Sequence, residues 1–295
     1  MGVWGTYLLV SVLSLAATRV SAAQVGNPAS QLTLLQQKLA DLEATAQNLT
    51  QKIVQLRKEF LLIANQTDPN KEVENGTIPS YPDAPLWYRS CKEVPSNKSD
   101  KYLIRPTEKS EPFLAYCDQL SFGGGWLVFQ LRYNGSVDFR RNWTEYRNGF
   151  GSVDGEFWLG LERLHRLTSA KPHELLVVME DFTGNYEFAL YSEFEIDNEM
   201  QHYSLKKLGT FIGSAGDSMR IHKGMKFSTS DRDNDRVSSL NCASSYEGAW
   251  WYDSCYQANL NGVYMNERNA KAIVWYTYKN ATVGMAYSKM MIREA

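Results

Sequence analysis

Three carboxylates alternate at Asp231, Asp233 and Asp235, with Asn234 between the last two. Oxygen-rich side chains at this spacing repel one another unless a cation sits among them. A hard divalent ion such as calcium takes about six to eight oxygens from carboxylates, carbonyls and water. The spacing invites comparison with the EF-hand loop, and the comparison fails. Counting from Asp231, the sixth position holds Arg236 where that loop needs Gly, and the twelfth holds Cys242 where it needs a bidentate Glu. A calcium ion here therefore needs a loop of another type, completed by backbone carbonyls. The competing reading is a solvated acidic turn neutralised by Arg232 and Arg236.

The elements around these acids narrow the choice of chemistry. Cys242 and Cys255 bracket a short loop containing Tyr246, Trp250, Trp251 and Tyr252, and Asn261 and Gly262 close the block as a turn. Aromatic residues this dense are mostly core. One or two can instead wall a pocket beside the acidic loop. No nucleophile–base set can be assembled around the four histidines, His165, His173, His202 and His222, and G-x-S-x-G, H-E-x-x-H and P-loop motifs are all absent from the sequence. The expectation is a binding protein and not an enzyme. A formal net charge of −2 without a basic stripe speaks against nucleic-acid binding.

Residues 1–22 read as a signal peptide. Tyr7–Ala17 is apolar but too short to span a bilayer, and Val20, Ser21 and Ala22 suit cleavage after Ala22. The expected location is secreted and extracellular, without membrane insertion. In that setting the four cysteines, Cys91, Cys117, Cys242 and Cys255, form disulfides rather than zinc sites. Three pairings are open, and the sequential one is the simplest. N-x-S/T sequons at Asn48, Asn65, Asn75, Asn97, Asn134, Asn142 and Asn280 predict a glycosylated surface.

Within residues 31–64, Leu32, Leu39, Ala46, Ile53 and Phe60 take position a of a heptad, and Leu35, Leu42, Leu49, Leu56 and Ile63 take position d. This 3.5-residue repeat predicts a left-handed coiled coil and a homo-oligomer, dimer or trimer, joined through residues 32–63. The alternative is a single amphipathic helix lying on its own domain. Residues 65–85 are polar and proline-rich, a linker without a core. From 86 to 295 the composition is that of one globular domain. Strand-like runs at 175–181, 186–196 and 272–278, with helical candidates at 141–150 and 161–168, predict an α+β fold.

This globular part resembles the fibrinogen C-terminal-like domain family. The resemblance rests on FGGGW at 122–126, GSVDF-x-R-x-W at 135–143, GFG at 149–151, GEFWLG at 155–160, LHRLT at 164–168 and AGDSM at 215–219. FST-x-D-x-DND through NLNG at 227–262 and MMIR at 290–293 complete the order. The resemblance implies the first disulfide between Cys91 and Cys117. It implies calcium held by Asp233 and Asp235 with the carbonyls of Val237 and Ser239, in a segment where 238–240 is one residue longer than in many relatives. It also implies a cis bond between Ser254 and Cys255, with a ligand pocket beside it.

In acetyl-group-binding members the pocket wall has a Tyr, a His and further aromatics. Here the matching positions hold Tyr246, Tyr256, Asn269, Ala270 and Ala281, a smaller and more polar wall. Fibrinogen itself captures an N-terminal amine with an acid near the position of Ala270, so that use is disfavoured too. Two functions follow from the resemblance. One is a calcium-dependent, lectin-like recognition protein of innate immunity, binding surface glycans or acetylated groups. The other is a ligand or matrix protein that binds a receptor or another extracellular protein.

Overall fold

The computed structural model describes residues 87–295, together with Gln37 and Lys38, which are helical. The expected signal peptide, linker and coiled coil, apart from those two residues, lie outside the described residues. So do the sequons at Asn48, Asn65 and Asn75.

A nine-stranded antiparallel sheet organises the domain. Its strands are β1 (Asp100–Ile104), β2 (Phe113–Asp118), β3 (Trp126–Arg132), β4 (Phe150–Gly151), β5 (Phe157–Trp158), β6 (His173–Asp181), β7 (Tyr186–Tyr191), β10 (Phe211–Gly213) and β13 (Met285–Glu294). The path runs β1-β2-β3-β13-β6-β7-β10, and the β4–β5 pair hangs on β3 through β5. The ten-residue β13 is central, lying between β3 and β6. Its register sets Met290 opposite Gln130 on one side and Val177 on the other. Strands buried on both faces need near-continuous apolar runs, and Leu175, Leu176, Val177, Val178 and Met179 supply one, each 1 % exposed or less.

Helices are short and few among the described residues, so the α+β expectation holds with the balance toward strands. Helix α1 (Trp143–Asn148) starts in a capping box: Asn142 accepts the Glu145 amide and the Glu145 carboxylate accepts the Asn142 amide. It covers less than the expected 141–150. Gly149 ends it at φ 93°, where an added Cβ would meet the Leu159 carbonyl at 2.5 Å. Helix α2 (Leu161–Ala170) buries Leu161, Leu164, Leu167 and Thr168, one face at helical spacing. The Thr168 hydroxyl accepts the Ile196 amide at 3.3 Å, which fixes the helix to β8 (Phe194–Ile196).

Two strand expectations need correction. The run at 186–196 breaks at Ser192, and β8 leaves the sheet to pair with β9 (Leu205–Leu208). The run at 272–278 contains only β12 (Val274–Trp275), because its partner β11 (Ala258–Asn259) is equally short. The apolarity of Ala272, Ile273 and Tyr278 reflects burial in irregular chain and not a long strand.

Residues 214–284 hold little regular structure, so their buried backbone needs side-chain partners. Gln130 donates to the Leu260 carbonyl at 2.9 Å and to Asn261 Oδ1 at 3.2 Å. Arg132 donates to the Gly262 carbonyl at 2.8 Å. Asn261 Nδ2 donates to the Ala249 carbonyl at 3.1 Å. The Gln130 and Arg132 bonds peg the loop region to β3, and the Asn261 bond ties loop to loop. His222, fully buried, does the same within the loops: Nδ1 lies 2.7 Å from the Trp251 carbonyl, and Nε2 accepts the Ala258 amide at 3.0 Å. Burial lowers its pKa to about 4, so it is a neutral framework group.

Candidate cation and ligand site around Asp233 and Asp235

The site is built on a hairpin-like turn. Thr229 and Arg232 exchange backbone hydrogen bonds at 3.0 and 3.1 Å, and Ser228 pairs with Trp250. Asn234 turns toward the body of the domain. Its amide donates to Ser228 Oγ at 3.0 Å and its Nδ2 to the Phe227 carbonyl at 2.8 Å. Asp233 is exposed and Asp235 is half-buried.

Asp231 has a different task. Its Oδ1 accepts the Trp143 amide at 2.9 Å and the Thr229 hydroxyl at 2.7 Å, which ties the turn to the start of α1. Asp235 accepts the Val237 and Cys242 amides, both at 2.8 Å, one on each oxygen. Asp233 accepts the Asp235 amide at 3.2 Å. The Asp235 carboxyl is shifted upward. Burial is the main cause, the amides of Cys242 and Val237 pull the other way, and the charge of Asp233 pushes up again.

The arginines do not neutralise these acids. Arg232 lies 3.8 Å from Glu199 and over the Trp143 ring at 4.3 Å. Arg236 faces Asp253 at 3.5 Å, an ion pair longer than a hydrogen bond. Among the described residues, no ion pair reaches Asp233 or Asp235. The acidic-turn reading with arginine neutralisation is therefore corrected: both cations are directed elsewhere.

Two adjacent carboxylates with backbone amides as their only protein partners suit a hard divalent cation. Among the described residues no group of three or more His, Cys, Asp and Glu side chains gathers as a metal cluster. The remaining oxygens must then be carbonyls and water, which is the preference of calcium. Val237 and Ser239, the carbonyl candidates, lie at and beside the turn at 238–239. The residues fit the ion.

Cys242 opens the short helix α3 (Cys242–Ser245), capped by Asn241, which accepts the Ser244 amide at 2.9 Å. Cys242 is bonded to Cys255, and Cys91 to Cys117, the sequential pairing. The Ser254–Cys255 peptide is cis. Beyond it, Tyr256 meets Tyr246 edge-on, with ring centroids 4.9 Å apart. The Tyr256 hydroxyl makes a short hydrogen bond to the Ala270 carbonyl. Asn269 Oδ1 accepts the Lys271 amide at 3.0 Å. Trp250, Trp251 and Tyr252 are buried core.

The structure thus joins Asp235 to the disulfide, the disulfide to the cis bond, and Tyr256 to Tyr246 and Ala270. Ala281 receives no side-chain role; its amide donates to the Tyr276 carbonyl. The framework roles of Asn234, Asn241 and Asn261 escape sequence reasoning. Their only signal is that amides punctuate a stretch too rich in buried aromatics to be solvent loop. The sequons at Asn97, Asn134, Asn142 and Asn280 are exposed.

A β-rich sheet domain with an acidic turn tied to a disulfide loop defines a class of extracellular-type recognition domain. Residues 87–295 match the family model for the C-terminal globular domain of fibrinogen beta and gamma chains, and the chain belongs to that family. Its domains are recognition modules and not enzymes. The chain is 46 % identical over 186 residues to human tenascin-R, covering 63 % of this chain and 14 % of that protein. It is 44 % identical over 215 residues to ryncolin-4 of Cerberus rynchops, covering 71 % of this chain and 62 % of that one. The fibrinogen-like globe domain of human ANGPTL2 superposes with a TM-score of 0.67 at 40 % identity, over 70 % of this chain and 99 % of that domain. Lamprey fibrin D-dimer, complexed with the peptide Gly-His-Arg-Pro-amide, gives 0.65 at 26 %, over 97 % of this chain and 93 % of that one. No helix among the described residues is long and apolar enough to cross a membrane.

Proposed function

We propose that this chain is a secreted, calcium-dependent recognition protein. Asp233 and Asp235, with the Val237 and Ser239 carbonyls, would hold the ion. The ligand site would lie beside it, among Tyr246, Ser254, Cys255, Tyr256, Asn269 and Ala270. The ligands are surface glycans or acetylated groups, in innate immunity. The observation that carries this reading is the Asp233–Asp235 pair: among the described residues neither carboxylate has a cationic partner, and Asp235 accepts the backbone amide of Cys242 at the start of the disulfide loop. Calcium supplies charge neutralisation and holds the loop against that frame. The four described cysteines, all in disulfides, suit an oxidising compartment.

Weak single sites need multiplication. A dimer or trimer formed through residues 32–63 would raise apparent affinity by about 10²–10⁴ where several domains engage one surface.

One observation favours a second reading. The Tyr256 hydroxyl donates to the Ala270 carbonyl and so ties together two positions of the proposed ligand wall. In that reading calcium is structural and the same face binds an extracellular protein, in a matrix or receptor-ligand role. Binding of the purified full-length protein to bacterial cells and acetylated sugars, with calcium and with chelator, decides between them. Calcium-dependent binding that free sugar competes away supports the first reading. Folded, oligomeric protein that binds nothing in that panel removes it and leaves the second.

A further inference from the structure

Two grooves that include no residue of the cation site share Pro106, Thr107 and Lys109. The first, about 350 Å³, also has Pro112, Phe113, Arg163 and Arg166 in its walls. The second, about 390 Å³, has Trp87, Arg89, Arg105 and Lys171. The shared residues make them one strip. Its walls carry Arg89, Arg105, Lys109, Arg163, Arg166 and Lys171, against the acids Glu108 and Glu111. The cavity at Arg132 and Arg140 instead balances its cations with Asp138 and Glu247, and the one at Lys92 and Arg293 with Glu174 and Glu294. The strip is basic although the whole chain carries −2.

Neutralisation within the strip is partial. Arg166 pairs with Glu162 and Lys171 with Glu294, both at 2.8 Å. Arg89, Arg105, Lys109 and Arg163 have no carboxylate partner among the described residues. Arg105 is held by carbonyls instead: Nε donates to Ser110 at 3.0 Å and Nη2 to Glu108, and the guanidinium lies 5.1 Å from the Trp87 ring centroid. Arg163 Nη1 donates to the carbonyls of Asn148 and Leu159 at 3.1 and 3.0 Å, and the guanidinium lies 5.7 Å from the Phe113 ring centroid. Carbonyls fix a guanidinium without cancelling its charge. The remaining N–H groups stay available, and a planar fork set in place matches an anionic oxygen pair.

We propose that this strip binds a sulfated polysaccharide. Its grooves are concave, its cations are spaced along them, and Trp87, Pro106, Pro112 and Phe113 offer apolar faces to sugar rings. None of the exposed large hydrophobic side chains among the described residues lies in its walls, so it lacks the groups that would insert into a lipid surface. The strip shares no residue with the Asp233–Tyr256 site, so it stands whether or not that site binds calcium.

The test uses full-length protein and immobilised heparin, with wild type compared against the double variant Arg89→Glu/Lys109→Glu. Both side chains are exposed, and neither makes an internal side-chain hydrogen bond. Thermal melts of both proteins exclude a folding effect, and Arg89→Gln/Lys109→Gln repeats the comparison without added negative charge. The expected result is wild-type binding at physiological ionic strength, unchanged by chelator and weakened by salt. The charge-reversal variant should bind at least tenfold more weakly, with a shallower salt dependence by about one per lost cation contact. Absence of wild-type binding overturns the proposal, as does equal binding by the folded variants. Equal binding to desulfated heparin, or binding only to phosphatidylserine vesicles, overturns it too.

Discussion

Asp235 Oδ2 lies 2.8 Å from the Cys242 amide nitrogen, so the acidic turn and the disulfide loop share a hydrogen bond. Loss of the carboxylate has two separable effects. Asp235→Asn keeps one oxygen acceptor and removes the charge. It should weaken calcium binding at least tenfold, about 1.4 kcal/mol, in calorimetric titration. Asp235→Ala also strands the Val237 and Cys242 amides and should cost about 1–3 kcal/mol of stability in urea melts without calcium.

Tyr256 and Ala270 make a second test. Tyr256→His shortens the side chain and removes the hydroxyl bridge to the Ala270 carbonyl. If that bridge restricts the pocket, the variant should gain affinity for N-acetylated sugars by about tenfold, about 1.4 kcal/mol, read by titration in calcium. Unchanged affinity would mean that the bridge is not the barrier.

His222 predicts a pH dependence. Its folded pKa, about 4, lies below the ordinary 6.5 because burial disfavours the imidazolium. Between those values the unfolded chain binds the proton and the folded one does not. Stability therefore rises with pH through this window and is lost as pH falls from 6.5 toward 4. The loss at pH 5 is about 2 kcal/mol. Burial also lowers the pKa of His173, with the same sign. Comparing wild type with His222→Gln in urea melts at pH 7 and 5 isolates the His222 share. Equal slopes would contradict this assignment.

Asn261 tests the pegs between loops and sheet. Asn261→Ala leaves the Ala249 carbonyl without its Nδ2 donor and removes one acceptor of Gln130. The expected cost is about 1–3 kcal/mol, from buried polar groups left unpaired. A denaturant midpoint unchanged from wild type would exclude that role.

Where one residue type serves one physical purpose, the sequence was a good guide. The apolar run at 175–179 becomes a strand buried on both faces, Leu161, Leu164 and Leu167 become the buried face of α2, and the cysteines pair in order. The acidic turn is visible as chemistry in the sequence, but the competing reading, neutralisation by Arg232 and Arg236, does not hold. Neighbours in sequence suggested that Arg232 and Arg236 would face the aspartates, while Glu199 and Asp253, distant or across the loop, attract them instead. Strand length in 272–278 was illegible because apolar residues buried in irregular chain look like strand residues. Their backbone is satisfied by partners such as Ser218, whose hydroxyl accepts the Thr277 amide at 3.0 Å from far along the chain. The Tyr256–Ala270 bridge has no sequence signal, since it joins a side chain to a carbonyl fourteen residues away.

The central place of β13 bears on how the domain comes into being. β3 and β6 are separated in sequence by about forty residues but never touch as strands; the segment that joins them is made after both. During synthesis the two halves of the sheet emerge with facing edges unpaired, and the apolar faces of Val128 and Val177 wait for Met290 and Met291. Closure of the sheet therefore waits until residues 285–294 have left the ribosome. A chain truncated before β13 would present two open edges to its neighbours, the condition under which sheets aggregate.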